Sequence, residues 1–224
     1  MAAGARVWDA PVRLFHWGLV ALIGCSWWTG RAHAMDAHRL SGYAILGLIV
    51  FRVFWGFAGP RTARFADFVR GPRAVLAYAR GSARKPAPPG HNPVGGWSVV
   101  LMLLALGAMV TAGLFAVDVD GLESGPLSDW LGFDAGRQAA HIHAFVFNVL
   151  LGLIGLHVAA ILVHRVWLGH DLVRPMITGR SHDALADGGI ASAPLWRLAV
   201  GAALAAGVAW AAAHGFFLPA PTPT

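Results

Sequence analysis

Five stretches of this chain are apolar enough, for long enough, to cross a bilayer as helices. They cover residues 12–28, 38–58, 94–117, 141–162 and 194–214. The first is short, and Trp8, Trp27 and Trp28 mark its interfaces. Polar residues collect between the runs, and they sort by sign. The connection over 59–90 carries Arg61, Arg64, Arg70, Arg73, Arg80, Arg84 and Lys85 against Asp67 alone. The connection over 118–138 carries Asp118, Asp120, Glu123, Asp129 and Asp134 against Arg137 alone. Basic connections stay in the cytoplasm, so the former lies inside and the latter outside. Arg6 and Arg13 then hold the N-terminus inside, and Arg165, Arg174 and Arg180 follow the fourth span on that same side. The C-terminus is expected outside. A signal peptide ending at Ala32-His33-Ala34 competes for the first run, but the paired tryptophans suit a retained anchor better.

Between residues 63 and 84, arginines alternate with Phe65, Phe68, Val69, Val75, Leu76 and Tyr78. This pattern predicts an amphipathic segment on the membrane surface, broken in two at Pro72. Pro86, Pro88 and Pro89 predict an extended approach to the third span.

Composition narrows the function. With 57% hydrophobic and 12% charged residues, a soluble domain is excluded. The net charge of +6 is almost all arginine and sits mainly in connections, so it is a topology signal and not the footprint of a nucleic-acid partner. Cys25 is the one cysteine, which rules out a disulfide framework, a zinc ribbon or an iron–sulfur cluster. There is no C-x-x-C-H motif, so any haem is held by coordination and packing alone.

Against this apolar background the histidines stand out. His143 and His157 are fourteen residues apart in one run, nearly four whole helical turns, so they share a face about 21 Å apart along the axis. Intramembrane histidines are costly and usually face a partner or cofactor. His16 begins the first run and His38 the second. Depth pairs His16 with His157 on the cytoplasmic side and His38 with His143 on the outer side. Each pair joins two helices, as a haem clamped in a bundle requires. His141 is rotated to nearly the opposite face and is read as interfacial. His164 shares the face of His157 and competes with it, but sits too near the boundary to match His16. Zinc is a weaker rival, because no carboxylate lies near the inner histidines. His33, His91, His170, His182 and His214 fall in connections or at span ends and are assigned no chemistry.

Several motifs resemble the bacterial and nickel–iron-hydrogenase type of cytochrome b561, a family of integral di-haem b-type cytochromes. They are VWDAPVRLFHW (7–17), HRLSGY (38–43), FRVFWG (51–56), GHNPVGG (90–96), HAFVFN (143–148), LHVAAILVH (156–164) and LVRPMITG (172–179). The likeness spans about 7–180, leaving 181–224 as a linker and a peripheral fifth helix. It implies a four-helix haem-binding core in the inner membrane and two non-covalent b haems. It assigns their axial ligands to His16, His38, His143 and His157, the set that spacing had already selected. Arg39 and Ala144 stand where the family often has an acidic residue, which bears on haem potential or partner choice. The resemblance further implies electron transfer across the membrane between a redox partner, such as a cytochrome c or a dehydrogenase- or hydrogenase-type subunit, and the quinone pool. Two readings compete with it: a self-contained oxidase that takes electrons from superoxide and reduces quinone, and a non-redox transporter or proton relay.

Other residues carry weaker signals. Arg52 either meets a haem propionate or quinone carbonyl, or snorkels to the headgroups. Trp55 reads as an interfacial belt residue. Gly42, Gly47, Gly152 and Gly155 allow helices or a flat porphyrin to approach closely. The acidic connection reads first as a solvated loop and second as a dock for a basic cytochrome.

Overall fold

The computed structural model describes residues 5–81, 90–181 and 193–217. Pro86, Pro88, Pro89, Arg84, Lys85 and His182 lie outside the described residues. Each apolar run forms one long helix: α1 (Ala10–Arg31), α2 (Met35–Ala58), α5 (Pro93–Leu114), α6 (Phe133–Val166) and α8 (Leu195–Ala213). Between them lie the short helices α3 (Phe65–Phe68), α4 (Pro72–Ala79) and α7 (Val173–Thr178). By length and composition α2, α5, α6 and α8 can each cross a membrane. At 22 residues α1 has the length as well, but Arg13, His16, Trp17, Trp27, Trp28 and Arg31 dilute its apolar character. The largest departure from the expected boundaries is at α6, which begins eight residues before the apolar run. Asp134 sits in its first turn, where a carboxylate complements the helix dipole, and this polar stretch continues the helix beyond the apolar segment.

The surface segment is broken where expected, with Pro72 at the start of α4, a position that needs no amide hydrogen. It does not simply lie on a surface, however. Phe68 of α3 is 3% exposed.

Chain contacts divide the protein into two compact units. The first contains Met1–His16, Arg52–Met102 and Leu153–Gly201. Here strand β1 (Ala5–Arg6) pairs antiparallel with β2 (Arg180–Ser181), and the Val7 amide donates to the Gly179 carbonyl at 2.8 Å. Gly179 holds φ +81° to close this clasp, a left-handed conformation glycine adopts without strain. Asp9, 5% exposed, accepts the Val12 amide at 3.1 Å and the Trp55 indole N–H at 2.7 Å. One carboxylate thus caps α1 and ties it to α2, with a cap contribution of about 1 kcal/mol. Trp55 is 2% exposed, which corrects its reading as a belt residue: its indole faces Asp9, inside the protein. Arg197 of α8 donates to the Ala58 carbonyl at the end of α2 at 3.0 Å, satisfying a helix terminus.

The second unit contains Trp17–Phe51, Leu103–Gly152 and Ala202–Thr224. Its acidic connection folds back on the helix ends. The Gly125 and Leu127 amides donate to the Ala116 and Leu114 carbonyls at 2.8 and 2.9 Å, and Arg137 donates to the Val117 carbonyl at 2.9 Å. Gly47 lets α8 come close: a Cβ there would lie 3.1 Å from the Ala205 carbonyl oxygen. Gly42, by contrast, faces open space.

Candidate functional site

Four of the histidines selected by spacing face one another in pairs. In the first unit the ring centres of His16 and His157 are 6.5 Å apart. In the second, those of His38 and His143 are 6.0 Å apart. Imidazoles bound on opposite sides of one metal, at about 2 Å per bond, put their ring centres roughly 6 Å apart. Both pairs therefore stand at the spacing of a two-ligand axial site. Among the described residues no group of three or more His, Cys, Asp or Glu could hold a metal ion. Iron held by either pair would need further ligands, which a porphyrin supplies.

The second pair is also oriented for this work. His143 Nδ1 lies 2.8 Å from the Met109 carbonyl, and His38 Nδ1 lies 2.9 Å from the Ser26 carbonyl and 3.2 Å from its hydroxyl. A carbonyl oxygen only accepts, so the N–H that faces it is on Nδ1, and Nε2 is the nitrogen left to face a metal. Glycines make these contacts feasible. A Cβ on Gly113 would lie 2.9 Å from His143 Nδ1, and one on Gly30 would lie 3.1 Å from His38 Nδ1. Beside the pair is a slot lined by Gly42, Ile45, Met109, Val110 and Leu114, with Arg39 and Tyr43 at its polar side. A flat apolar macrocycle suits such a lining. Arg39 forms a 2.6 Å ion pair with Asp36 and reaches the Ser124 carbonyl at 3.5 Å.

The other histidines are placed elsewhere. His164 pairs with His170, ring centres 6.3 Å apart and nearly parallel, and the ring facing His16 is that of His157. His141 is exposed on α6.

Arg52 does not snorkel. It is 2% exposed, donates to the Ala63 carbonyl at 3.2 Å, and holds its guanidinium over the rings of Phe65 at 4.9 Å and Phe68 at 5.8 Å. Gly56 makes room for Phe65, whose ring occupies the place of the missing Cβ.

Three residues that the sequence left without a role join this cluster. The His91 ring sits between Trp8, at 4.7 Å, and Phe68, at 4.6 Å. Its Nδ1 is buried without a hydrogen-bond partner. Burial, with smaller contributions from the charges of Arg52 and His157, pushes its pKa down to about 3, so the ring is neutral. Thr62 is 8% exposed, and its hydroxyl is likewise buried without a partner. Asp9 is the third, through its hold on Trp55 and its charge near Arg52. The sequence signals for His91 are its place in the GHNPVGG motif and directly before Asn92, whose side chain accepts the Gly95 amide at 2.7 Å and starts α5.

Comparison with known proteins identifies a family. No curated protein and no solved structure matches the chain. The family described as prokaryotic cytochrome b561 matches residues 7–179, most of the chain. The protein belongs to the prokaryotic cytochrome b561 family, and is a multi-pass helical membrane cytochrome of the haem b, electron-transferring kind.

Proposed function

We propose that this protein is a di-haem cytochrome b that carries electrons across the bacterial inner membrane between a protein redox partner and the quinone pool. His16 and His157 hold one haem b, and His38 and His143 hold the other. The observation that carries this reading is the pair of facing imidazole couples, at 6.5 and 6.0 Å between ring centres, with one member of each couple on α6. A haem bound there would supply a one-electron carrier, held by these histidines and suited to electron transfer.

The residues of the chain hold and insulate. His38 and His143 present Nε2 because backbone carbonyls keep the proton on Nδ1. Ile45, Met109, Val110 and Leu114 line the neighbouring slot with apolar side chains. Arg52 offers a buried cation, in the unit that holds His16 and His157, for a propionate or a quinone carbonyl. The charge pattern of the connections supports a cytoplasmic N-terminus, an external C-terminus and an external acidic connection. That acidic connection favours a basic donor or acceptor, a cytochrome c or a dehydrogenase- or hydrogenase-type subunit, through a faster encounter. Residues 7–180 then form the haem-binding part and 181–224 a linker with the peripheral α8.

A pyridine haemochrome assay on detergent-purified protein tests the reading. Two b haems per chain are expected; one haem or none overturns the di-haem assignment. Quinol oxidation or quinone reduction that proceeds without any protein partner would instead favour the self-contained enzyme.

A further inference from the structure

Arg52, Thr62 and His91 come from different stretches of chain yet meet in the first unit. Arg52 donates to the carbonyl of Ala63, the residue next to Thr62. A Cβ on Gly90, the neighbour of His91, would lie 3.6 Å from both Thr62 and Trp8. Phe68 touches both ends of the group, with its ring 4.6 Å from that of His91 and 5.8 Å from the Arg52 guanidinium. Two polar atoms here, Thr62 Oγ1 and His91 Nδ1, are buried with no hydrogen-bond partner. Leaving a buried polar atom unpaired costs about 1–3 kcal/mol, so a fold that carries two beside a buried arginine is shaped for something polar.

The chemistry of the three groups names the ligand class. A guanidinium only donates, a hydroxyl can donate, and a neutral imidazole donates from Nδ1 in one of its tautomers. All three can be satisfied by a group that only accepts. The cation selects charge as well: a buried guanidinium pairs best with a carboxylate, which it meets through two parallel hydrogen bonds. Asp9 is close enough to act electrostatically on Arg52, but its oxygens already accept the Trp55 indole and the Val12 amide. The group lies in the compact unit that also holds His16 and His157, and Trp55, about one turn from Arg52 on α2, is tied to Asp9 at the start of the helix that carries His16.

We propose that Arg52, Thr62 and His91 form a carboxylate-receiving pocket that takes a propionate of the haem held by His16 and His157. This rests on the haem reading above, and it narrows the two roles open to Arg52 to one. Thr62 and His91 become positioning residues for the propionate, and Arg52 its counter-charge.

The test is a redox titration of the purified full-length holoprotein, with haem content measured alongside. Arg52→Gln should lower the midpoint of one haem, because the reduced state loses a nearby cation. The expected change is at least tenfold in the equilibrium constant, about 59 mV for one electron. Arg52→Lys should restore most of it. Thr62→Val and His91→Phe keep the apolar packing and should each lower the same midpoint by a smaller amount, with weaker haem retention on dilution. These two neutral variants decide the matter if Arg52→Gln does not fold. Unchanged midpoints and retention in all variants would overturn the proposal. If the Michaelis constant for quinone then rises severalfold, the pocket takes a quinone carbonyl instead. Failure of the underlying reading looks different: wild-type protein would lack the second haem, or His157→Ala would leave both in place.

Discussion

The two histidine couples have similar spacing but different surroundings. In the second unit His38 and His143 are held by backbone carbonyls, pressed close by Gly30 and Gly113, and set beside an apolar slot. In the first unit, the one that holds His16 and His157, lie a buried arginine, a buried hydroxyl and a buried imidazole. The first arrangement governs the ligand: a ring whose N–H is bonded to a carbonyl is fixed in direction and is a stronger donor to the metal. The second governs charge around whatever the ligands hold. One fold thus offers two ways of tuning a redox centre, through the imidazole or through its electrostatic environment.

On the proposed ligation, breaking one couple should spare the other. His143→Ala should halve the haem-to-protein ratio measured by pyridine haemochrome, and His157→Ala should do the same through the other site. His164→Ala should leave both haems, and loss of one would overturn the choice of His157. Gly113→Val probes the second unit without touching a ligand. Its added carbons meet His143 Nδ1, so haem content at that site should fall severalfold while the other haem titrates normally. In the first unit, Asp9→Ala removes the cap of α1 and leaves the Trp55 indole N–H without its acceptor. The expected loss is about 1–3 kcal/mol, read as a lower melting temperature, with the His38–His143 haem spectrum unchanged.

A further expected effect is a pH dependence that arises in the first unit. The folded protein keeps His91 neutral down to about pH 3, while the unfolded chain takes up that proton near pH 6.5. Stability should therefore be insensitive to this group above pH 6.5 and fall below it, at up to about 1.4 kcal/mol per pH unit. His91→Phe should flatten the acid limb of a melting curve series between pH 6.5 and 4. An unchanged acid limb would mean that His91 protonates in place.

The comparison also explains what the sequence could reveal. Helix period and depth suffice to pair His16 with His157 and His38 with His143, because a straight helix converts residue number directly into height and direction. The long helices follow for the same reason, apart from the polar start of α6. Arg52 was undecidable because its burial depends on Phe65 and Phe68 in a connecting segment, whose aromatic faces no periodicity predicts. Trp55 was misread because its partner, Asp9, lies far away in sequence. His91 and Thr62 sit in irregular chain, where side-chain direction follows from tertiary contacts alone. The carbonyl partners of His38 and His143 were equally hidden, since every residue has a carbonyl and only packing selects one.

The sharing of α6 by both couples has a consequence for how the protein is made. His16 and His38 leave the ribosome about a hundred residues before His143, a delay of roughly 5–20 s at ordinary rates of synthesis. Until α6 arrives, neither has the partner assigned to it, and the clasp between β1 and β2 closes later still. On the proposed ligation, insertion of that one helix completes both sites together. Haem capture thus becomes a late, joint event in assembly.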